Sequence, residues 1–125
     1  MTVQIAGTQY RVLDTRVDSG YGPYVGPLAP GSYVIGGPTF PGLALHVGCA
    51  FVGNIELFNW TGYGSIYMRP HGYPNLSPYR FAAFGGPTPS AWPNWAFTVG
   101  CNEGFDLVVQ GASVHVVIDM MAILT

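Results

Sequence analysis

The sequence contains no lysine and few charged residues of any kind. Of its 125 residues, four are arginine and six are Asp or Glu, so that 8 % are charged and the formal net charge is -2. An average soluble domain has roughly 25 % charged residues. The chain cannot build the basic surface that nucleic-acid binding or adhesion to an anionic membrane requires, and we predict no partner of either kind.

The sequence is also poor in cysteine and in signals for export or membrane insertion. Cys49 and Cys101 are too few for a disulfide framework, and either two buried thiols or one bridge would fit the pattern. The start, MTVQIAGTQYR, has neither a basic leader nor a continuous apolar stretch, which predicts no secretory signal. The most apolar segment, 114–124, is about half as long as a membrane span and carries His115 and Asp119.

Apolar residues, in contrast, are abundant. Hydrophobic residues make up 49 % of the chain and aromatic residues 14 %, which is enough to form a core in one domain over 1–125. With so little charge, identical copies repel one another weakly, and apolar patches remain on the surface. This composition favours a homo-oligomer or a component of a larger assembly.

The fold class follows from the spacing of 18 glycines and 11 prolines, which interrupt nearly every stretch, so that no window of 12 or more residues combines helix-forming composition with a helical apolar period. Between them lie short runs rich in β-branched and aromatic residues, separated by turn sequences such as Gly53-Asn54 and Gly85-Gly86-Pro87. This pattern predicts an all-β fold, an antiparallel β-sandwich or small barrel of the jelly-roll type, with long Gly/Pro/Tyr loops. The predicted strands are 10–14, 32–35, 44–51, 55–60, 65–69, 79–84, 95–99, 105–110 and 113–123.

Two segments resemble each other and suggest an internal pseudo-repeat. Val-Gly-Cys at 47–49 is followed by Gly-Asn-Ile-Glu-Leu at 53–57, and Val-Gly-Cys at 99–101 is followed by Gly-Phe-Asp-Leu at 104–107. If the repeat is real, Cys49 and Cys101 lie at equivalent strand ends. The spacing alone does not decide whether they form a bond.

A structural ion pair is predicted at the first strand. Asp14 and Arg16 point to the same side of an extended strand, and Asp119 near the other end of the chain is a second carboxylate available to Arg16. We expect Arg16 to pair with Asp14, Asp119 or both, and thereby to connect the first strand to the last. A carboxylate pair for acid–base catalysis would need a cleft and a nearby base, which the sequence does not indicate.

No pattern of catalytic or metal-binding residues is present. His46, His71 and His115 are scattered without the spacing of a metal motif, and there is no G-x-S-x-G or glycine-rich phosphate loop. We therefore predict a protein that is not an enzyme and binds no metal or cofactor.

The aromatic residues supply the predicted contact surface. Trp60 and Trp95 are expected in the core, whereas Trp92, between Ala91 and Pro93, is expected in a surface loop. The other candidate contact residues lie in a comparable loop or at the apolar C-terminal end. The full set is Trp92, Tyr73, Tyr79, Arg80, Met120 and Met121.

Several segments, in the expected order along nearly the whole chain, resemble the "RLLDTR" domain of actinobacterial surface proteins and of phages that infect those hosts. They are YRVLDTR at 10–16, GPLAPG at 26–31, GSIY at 64–67, NL at 75–76 and VHVVID at 114–119. The family opens R-L-L-D-T-R, continues G-x-L-x-P/A-G and closes V-x-V-D-V-x-G-Y-Y. This chain instead ends in the more apolar Met120-Met121-Ala122-Ile123-Leu124-Thr125, which we expect to be buried against another subunit.

The resemblance implies an all-β domain on a virion or cell surface, without enzymatic activity. With no export signal predicted, the phage version is favoured: a capsid decoration or stabilising subunit, made in the host cytoplasm and exposed on the virion. Its partners would be copies of itself, for example as a trimer, and a larger assembly such as a major capsid protein. The alternatives are a carbohydrate-binding adhesion module that uses Trp92 to bind a glycan, and a surface filament in which the C-terminal strand inserts into the next copy.

Overall fold

The computed structural model describes residues 3–16, 20, 24–35, 50–86, 92–95 and 105–124. These residues form eight β-strands and one short 3-10 turn, Ser77–Tyr79, before the fifth strand. No α-helix occurs among them, which confirms the all-β prediction. The strands are β1 (Val3–Asp14), β2 (Gly31–Ile35), β3 (Ala50–Phe58), β4 (Gly64–Pro70), β5 (Arg80–Phe84), β6 (Trp92–Trp95), β7 (Phe105–Gln110) and β8 (His115–Leu124).

The strands form two four-stranded antiparallel sheets. The first sheet has the order β1-β8-β3-β6 and the second sheet the order β2-β7-β4-β5. The pairs β1 with β8, β2 with β7, β3 with β6 and β4 with β5 describe one long antiparallel hairpin. Pairing of β3 with β8 and of β4 with β7 wraps this hairpin into two sheets, which is the topology of a jelly roll.

The hydrophobic core lies between the two sheets. Every second residue of a strand faces it: Ile55 and Ile118 in the first sheet, and Ile66 and Leu107 in the second, are fully buried in one cluster. Trp60 is 8 % exposed and belongs to the same cluster, which confirms its predicted place in the core. The side chain of Trp95 lies outside the described residues.

The predicted pseudo-repeat has a counterpart in the topology. Adding four to each strand number, and counting on from β8 to β1, converts the order β1-β8-β3-β6 into β5-β4-β7-β2. This is the order of the second sheet read from its other edge. The Ile-Glu-Leu of β3 and the Phe-Asp-Leu of β7 occupy equivalent inner strands. In both, the apolar residues are buried in the core while Glu56 and Asp106 lie on the outer face. Cys49 and Cys101 lie outside the described residues.

Two predicted strand boundaries are wrong. Gly53-Asn54 is not a turn, because β3 runs through it from Ala50 to Phe58, with a β-bulge against β8 between Val52 and Gly53. Glycine has this role at bulges as well as in turns. Likewise the described part of β6 covers Trp92–Trp95 and thus begins before the predicted start at Trp95, whereas 96–99 lie outside the described residues. Its Pro93 is tolerated because β6 is an edge strand, where a missing N–H breaks no ladder.

The C-terminal strand β8 lies inside the first sheet. Leu124 is opposite Val3 of β1 on one side and Ala50 of β3 on the other. The backbone of Met120 and Met121 is therefore part of an interior strand, not of a free end that could pair with another chain.

Candidate functional site

The candidate site is a cluster of charged side chains around Arg11, Asp14 and Asp119, and a β-bulge in the first strand positions it. Arg11 is opposite Asp119 and Leu13 is opposite Ile118, so Val12 is one extra residue in β1. Residues three apart on a regular strand face opposite sides of a sheet. The extra residue brings Arg11 and Asp14 to the same outer face while Leu13 enters the core.

Arg11 connects the first strand to the last. Its Nε donates to Asp119 Oδ1 at 2.8 Å and its Nη2 donates to Asp119 Oδ2 at 3.2 Å, which is a bidentate pair. Its Nη1 donates to Asp14 Oδ2 at 3.1 Å. The connection to Asp119 that was predicted for Arg16 is thus made by Arg11, because the bulge brings Arg11 to the outer face that Asp14 occupies.

Arg16 binds Asp14, one of its two predicted partners. Arg16 donates to Asp14 from its backbone N–H at 3.0 Å and from Nε at 2.9 Å. Asp14 therefore accepts hydrogen bonds from two guanidinium groups although it is only 1 % exposed. The hydrogen bond from Arg16 is the main cause that holds the pKa of Asp14 below its usual value, against the opposing effect of burial.

Thr15, the next residue of the motif, connects the end of β1 to the start of β8. Its hydroxyl accepts a hydrogen bond from the Val116 backbone N–H at 2.9 Å and contacts His115 Nδ1 at 2.9 Å. Its backbone N–H donates to Val116 O at 3.1 Å, and its carbonyl accepts from Gly26 at 2.6 Å. Thr15 is fully buried and each of its polar groups has a partner.

His115 lies beside this cluster and is held in its neutral form. Its ring stacks on Phe58, with centroids 5.3 Å apart. The Arg16 guanidinium lies 6.0 Å from the centroid of the Phe58 ring. Burial lowers the pKa of His115; the positive charge of Arg16 acts in the same direction and Asp14 opposes it. An unprotonated Nδ1 can accept a hydrogen bond from the Thr15 hydroxyl, which fits this arrangement.

The neutral His115 makes stability depend on pH. Below about pH 6.5 the histidine of the unfolded chain takes up a proton that the folded protein binds only at lower pH. The free energy of unfolding therefore falls as the pH drops through this window. We expect the melting temperature to decline from pH 7.5 to pH 5 in the wild type and to decline less in His115→Gln. Equal slopes in the two proteins would contradict the assignment.

A second ion-pair cluster lies on the outer face of the second sheet. Asp106 accepts from Arg69 Nη2 at 2.9 Å and its Oδ1 lies 2.7 Å from His71 Nδ1. Burial raises the pKa of Asp106, but the hydrogen bonds from His71 and Arg69 together outweigh it and leave the pKa low. Sequence analysis missed this cluster, although the opposite charges on neighbouring β4 and β7 were a usable signal.

Of the predicted contact residues, the structure describes the side chains of Tyr73 and Arg80. Tyr73 is 51 % exposed in the loop between β4 and β5, and Arg80 is exposed at the start of β5. Trp92 is not in a loop but in edge strand β6, opposite Leu57 in register, because the strand begins earlier than its proline suggested. The side chains of Tyr79, Trp92, Met120 and Met121 lie outside the described residues.

The described residues hold no group of three His, Cys, Asp or Glu side chains that could bind a metal ion. In the part of the chain that the structure describes, no helix has the length and apolar character to cross a membrane. Comparison with protein-family models, with curated proteins and with solved structures found no match. The chemistry of the site must therefore be inferred from its own contacts.

The described contacts of the motif connect parts of this domain. Arg11 and Arg16 bind Asp14, and Arg11 and Thr15 also bind residues of β8; the bidentate pair with Asp119 joins positions 108 residues apart. The side chains of the YRVLDTR motif that carry charge are thus used to fix the first strand to the last.

Proposed function

We propose that this protein is a non-enzymatic structural subunit of a phage particle. In this role it forms a homo-oligomer that decorates and stabilises a larger shell, such as one built from a major capsid protein. The observation that carries the proposal is the internal use of the motif: Arg11, Asp14 and Arg16 bind one another and Asp119. Because the charged side chains of the motif form ion pairs within the domain, the motif stabilises the fold. Binding of a partner would then use other parts of the surface.

The resemblance of the motif to the "RLLDTR" domain supports the placement on a virion. In the described residues, Arg11 of the motif binds both Asp14 and Asp119 and thereby connects β1 to β8. The jelly-roll topology also supports the proposal, since this architecture recurs in viral capsid proteins, although fold alone does not define function.

The surface chemistry supports assembly rather than catalysis. Among the described residues, the three ion-paired arginines Arg11, Arg16 and Arg69 are bound to buried or nearly buried carboxylates. A surface of this kind can be covered by a neighbouring protein with little cost for removing charges from water. Each copy on a particle would then contribute apolar and main-chain contacts across the junctions between shell subunits.

The test uses particles with and without the protein. Phage particles from cells that carry the gene are banded on a density gradient, and the same particles are prepared after deletion of the gene. We expect the protein in the particle band, and we expect particles that lack it to release DNA at a lower temperature until purified protein is added back. Absence of the protein from intact particles would overturn the proposal.

Neither alternative function has a comparable observation in its favour. Insertion of the C-terminal strand into another copy would require β8 to leave both β1 and β3, with which it is already paired. Glycan binding by Trp92 was inferred from its placement in a loop, and that placement is wrong. A glycan-array signal lost in Trp92→Ala would nevertheless favour the adhesion module.

A further inference from the structure

Among the described residues, the two ends of the sandwich differ in charge. At one end lie the described connections 24–30, 59–63, 85–86 and 111–114, which we call the uncharged end because none of these residues is Asp, Glu, Arg, Lys or His. Arg16, which follows β1 at this end, is bound to Asp14. The opposite end carries Arg69, His71, Arg80 and Asp106.

The uncharged end carries the two most exposed large apolar side chains among the described residues. Tyr63 is 78 % exposed and Val25 is 68 % exposed. Exposed apolar side chains of this size, when they concentrate on one part of a surface, mark sites of contact with other proteins.

The position of Tyr63 is fixed by a neighbouring glycine. A Cβ atom at Gly85 would lie 2.2 Å from the Tyr63 ring, so the ring can rest against this backbone only because residue 85 has no side chain. Gly85 also has a φ of 147°, which other residues rarely adopt. Tyr63 is thus supported on one side and open to solvent on the other.

Main-chain hydrogen bonds join the connections of the uncharged end into one surface. Leu28 and Val114 exchange hydrogen bonds at 2.8 and 3.1 Å, and the Thr61 N–H donates to Ser113 O at 3.0 Å. The segment that carries Val25 is thereby linked through 113–114 to the segment that carries Tyr63. An ordered aromatic side chain on such a surface loses little conformational freedom when it becomes buried.

Rotational symmetry determines which partner suits this surface. Near the axis of a cyclic oligomer each residue faces its own copies, so that any charge there meets the same charge. An uncharged end avoids this repulsion, whereas the opposite end brings Arg69 and Arg80 together with their equivalents. Tyrosine is also among the residues that dominate binding energy at interface centres.

We propose that the uncharged end packs against the uncharged ends of other copies of this chain around a rotation axis, with Tyr63 at the centre of the contact. The inference rests on the proposed homo-oligomer and specifies which part of its surface forms it. The charged end and the outer faces of the sheets then point away from the axis and remain available to the larger shell.

The test places a like charge at the proposed axis. The mass of the wild type, Tyr63→Arg and the matched control Tyr73→Arg is measured by light scattering after size exclusion over a hundredfold range of concentration. We expect an oligomeric wild type, at least tenfold weaker association in Tyr63→Arg, and an unchanged mass in Tyr73→Arg. Thermal melting of each variant verifies that it is folded.

A second measurement does not depend on a disruptive substitution. Photo-oxidation joins neighbouring tyrosines as dityrosine, and Tyr63→Phe keeps the apolar ring while removing the reactive phenol. We expect covalent dimers in the wild type and a severalfold lower yield in Tyr63→Phe at the same oligomeric mass.

The outcomes separate this inference from the function on which it rests. A wild type that is oligomeric, with Tyr63→Arg equally so or with dityrosine yield unchanged in Tyr63→Phe, overturns the placement of the interface alone. Equal dissociation of Tyr63→Arg and Tyr73→Arg also overturns it, because the effect would then be one of added charge. A monomeric wild type at all concentrations overturns both this inference and the homo-oligomer.

Discussion

Asp14→Asn is expected to lower the free energy of unfolding by about 2 to 4 kcal/mol, because it removes a buried charge that two arginines share. The amide has the shape of the carboxylate but presents an NH2 group where an acceptor is needed, opposite either Arg11 Nη1 or Arg16. The expected loss in free energy of unfolding is smaller than for a fully buried ion pair. The side chains of Arg11 and Arg16 are 32 % and 53 % exposed, so water can replace part of the interaction. Urea unfolding at pH 7 measures it.

The same face of the first sheet supplies the control. Glu56 lies there without an ion pair to any described residue, and Glu56→Gln should change stability by less than about 0.5 kcal/mol. Asp119→Asn should fall between the two variants, since Arg11 would retain its bond to Asp14. If Asp119→Asn left thermal stability unchanged, the connection of β1 to β8 by this ion pair would be wrong.

Acid should remove the contribution of Asp14 in the wild type. Its pKa is lowered in the folded protein, so its stabilising effect is complete above the unfolded value of 3.8 and is lost as the pH falls through the lower folded value. This loss occurs below pH 3.8, whereas the effect of His115 begins at about pH 6.5. The pKa of Asp106 is lowered as well, so comparison with Asp14→Asn over the same pH series identifies the part due to Asp14.

Gly111→Ala is expected to cost about 3 to 5 kcal/mol, the second large effect. Gly111 has a φ of 97°, where an L-residue is strained by about 1 to 2 kcal/mol. A Cβ there would also lie 2.4 Å from the Tyr63 carbonyl oxygen and 2.8 Å from Gly64 Cα, so the backbone itself would have to move. The midpoint of chemical unfolding and the yield of soluble protein report the loss.

Gly72→Ala is the control that distinguishes the cost of backbone strain from the cost of steric overlap at the Cβ atom. Gly72 has a φ of 85°, but nothing lies within 4 Å of the position of its Cβ. Only the conformational cost of about 1 to 2 kcal/mol is expected there. If the two variants were destabilised equally, the close approach of the β3–β4 and β7–β8 connections would contribute nothing.

The sequence pattern predicts the fold class well because strand propensity and turn residues are local properties. β7 begins and ends where the sequence pattern predicts, β2 begins one residue earlier, and β4 extends one residue further at each end. The errors occur where one residue type has two uses. Glycine at 53 belongs to a bulge rather than a turn, and Pro93 is compatible with a strand only because that strand is at an edge.

The sequence predicts part of the ion-pair cluster formed by Arg11, Asp14, Arg16 and Asp119. The parity argument correctly brings Asp14 and Arg16 to one side, and it names Asp119 as the carboxylate on the far strand. It selects the wrong arginine for Asp119 because Val12 forms a bulge, and no property of valine indicates one. Tyr63 and Gly85 were missed for a different reason: their contact joins two connections and is created only when the sheets pack.

The pairing of β1 with β8 has a consequence for how the chain acquires its structure. The Asp119 partner of Arg11 lies 108 residues later, so among the described strands β1 has no partner until β8 has been synthesised. Loops of this length close slowly, and an unpaired apolar strand is exposed to aggregation while it waits. We therefore expect pairing of β1 with β8 to be a late step in the folding of this domain.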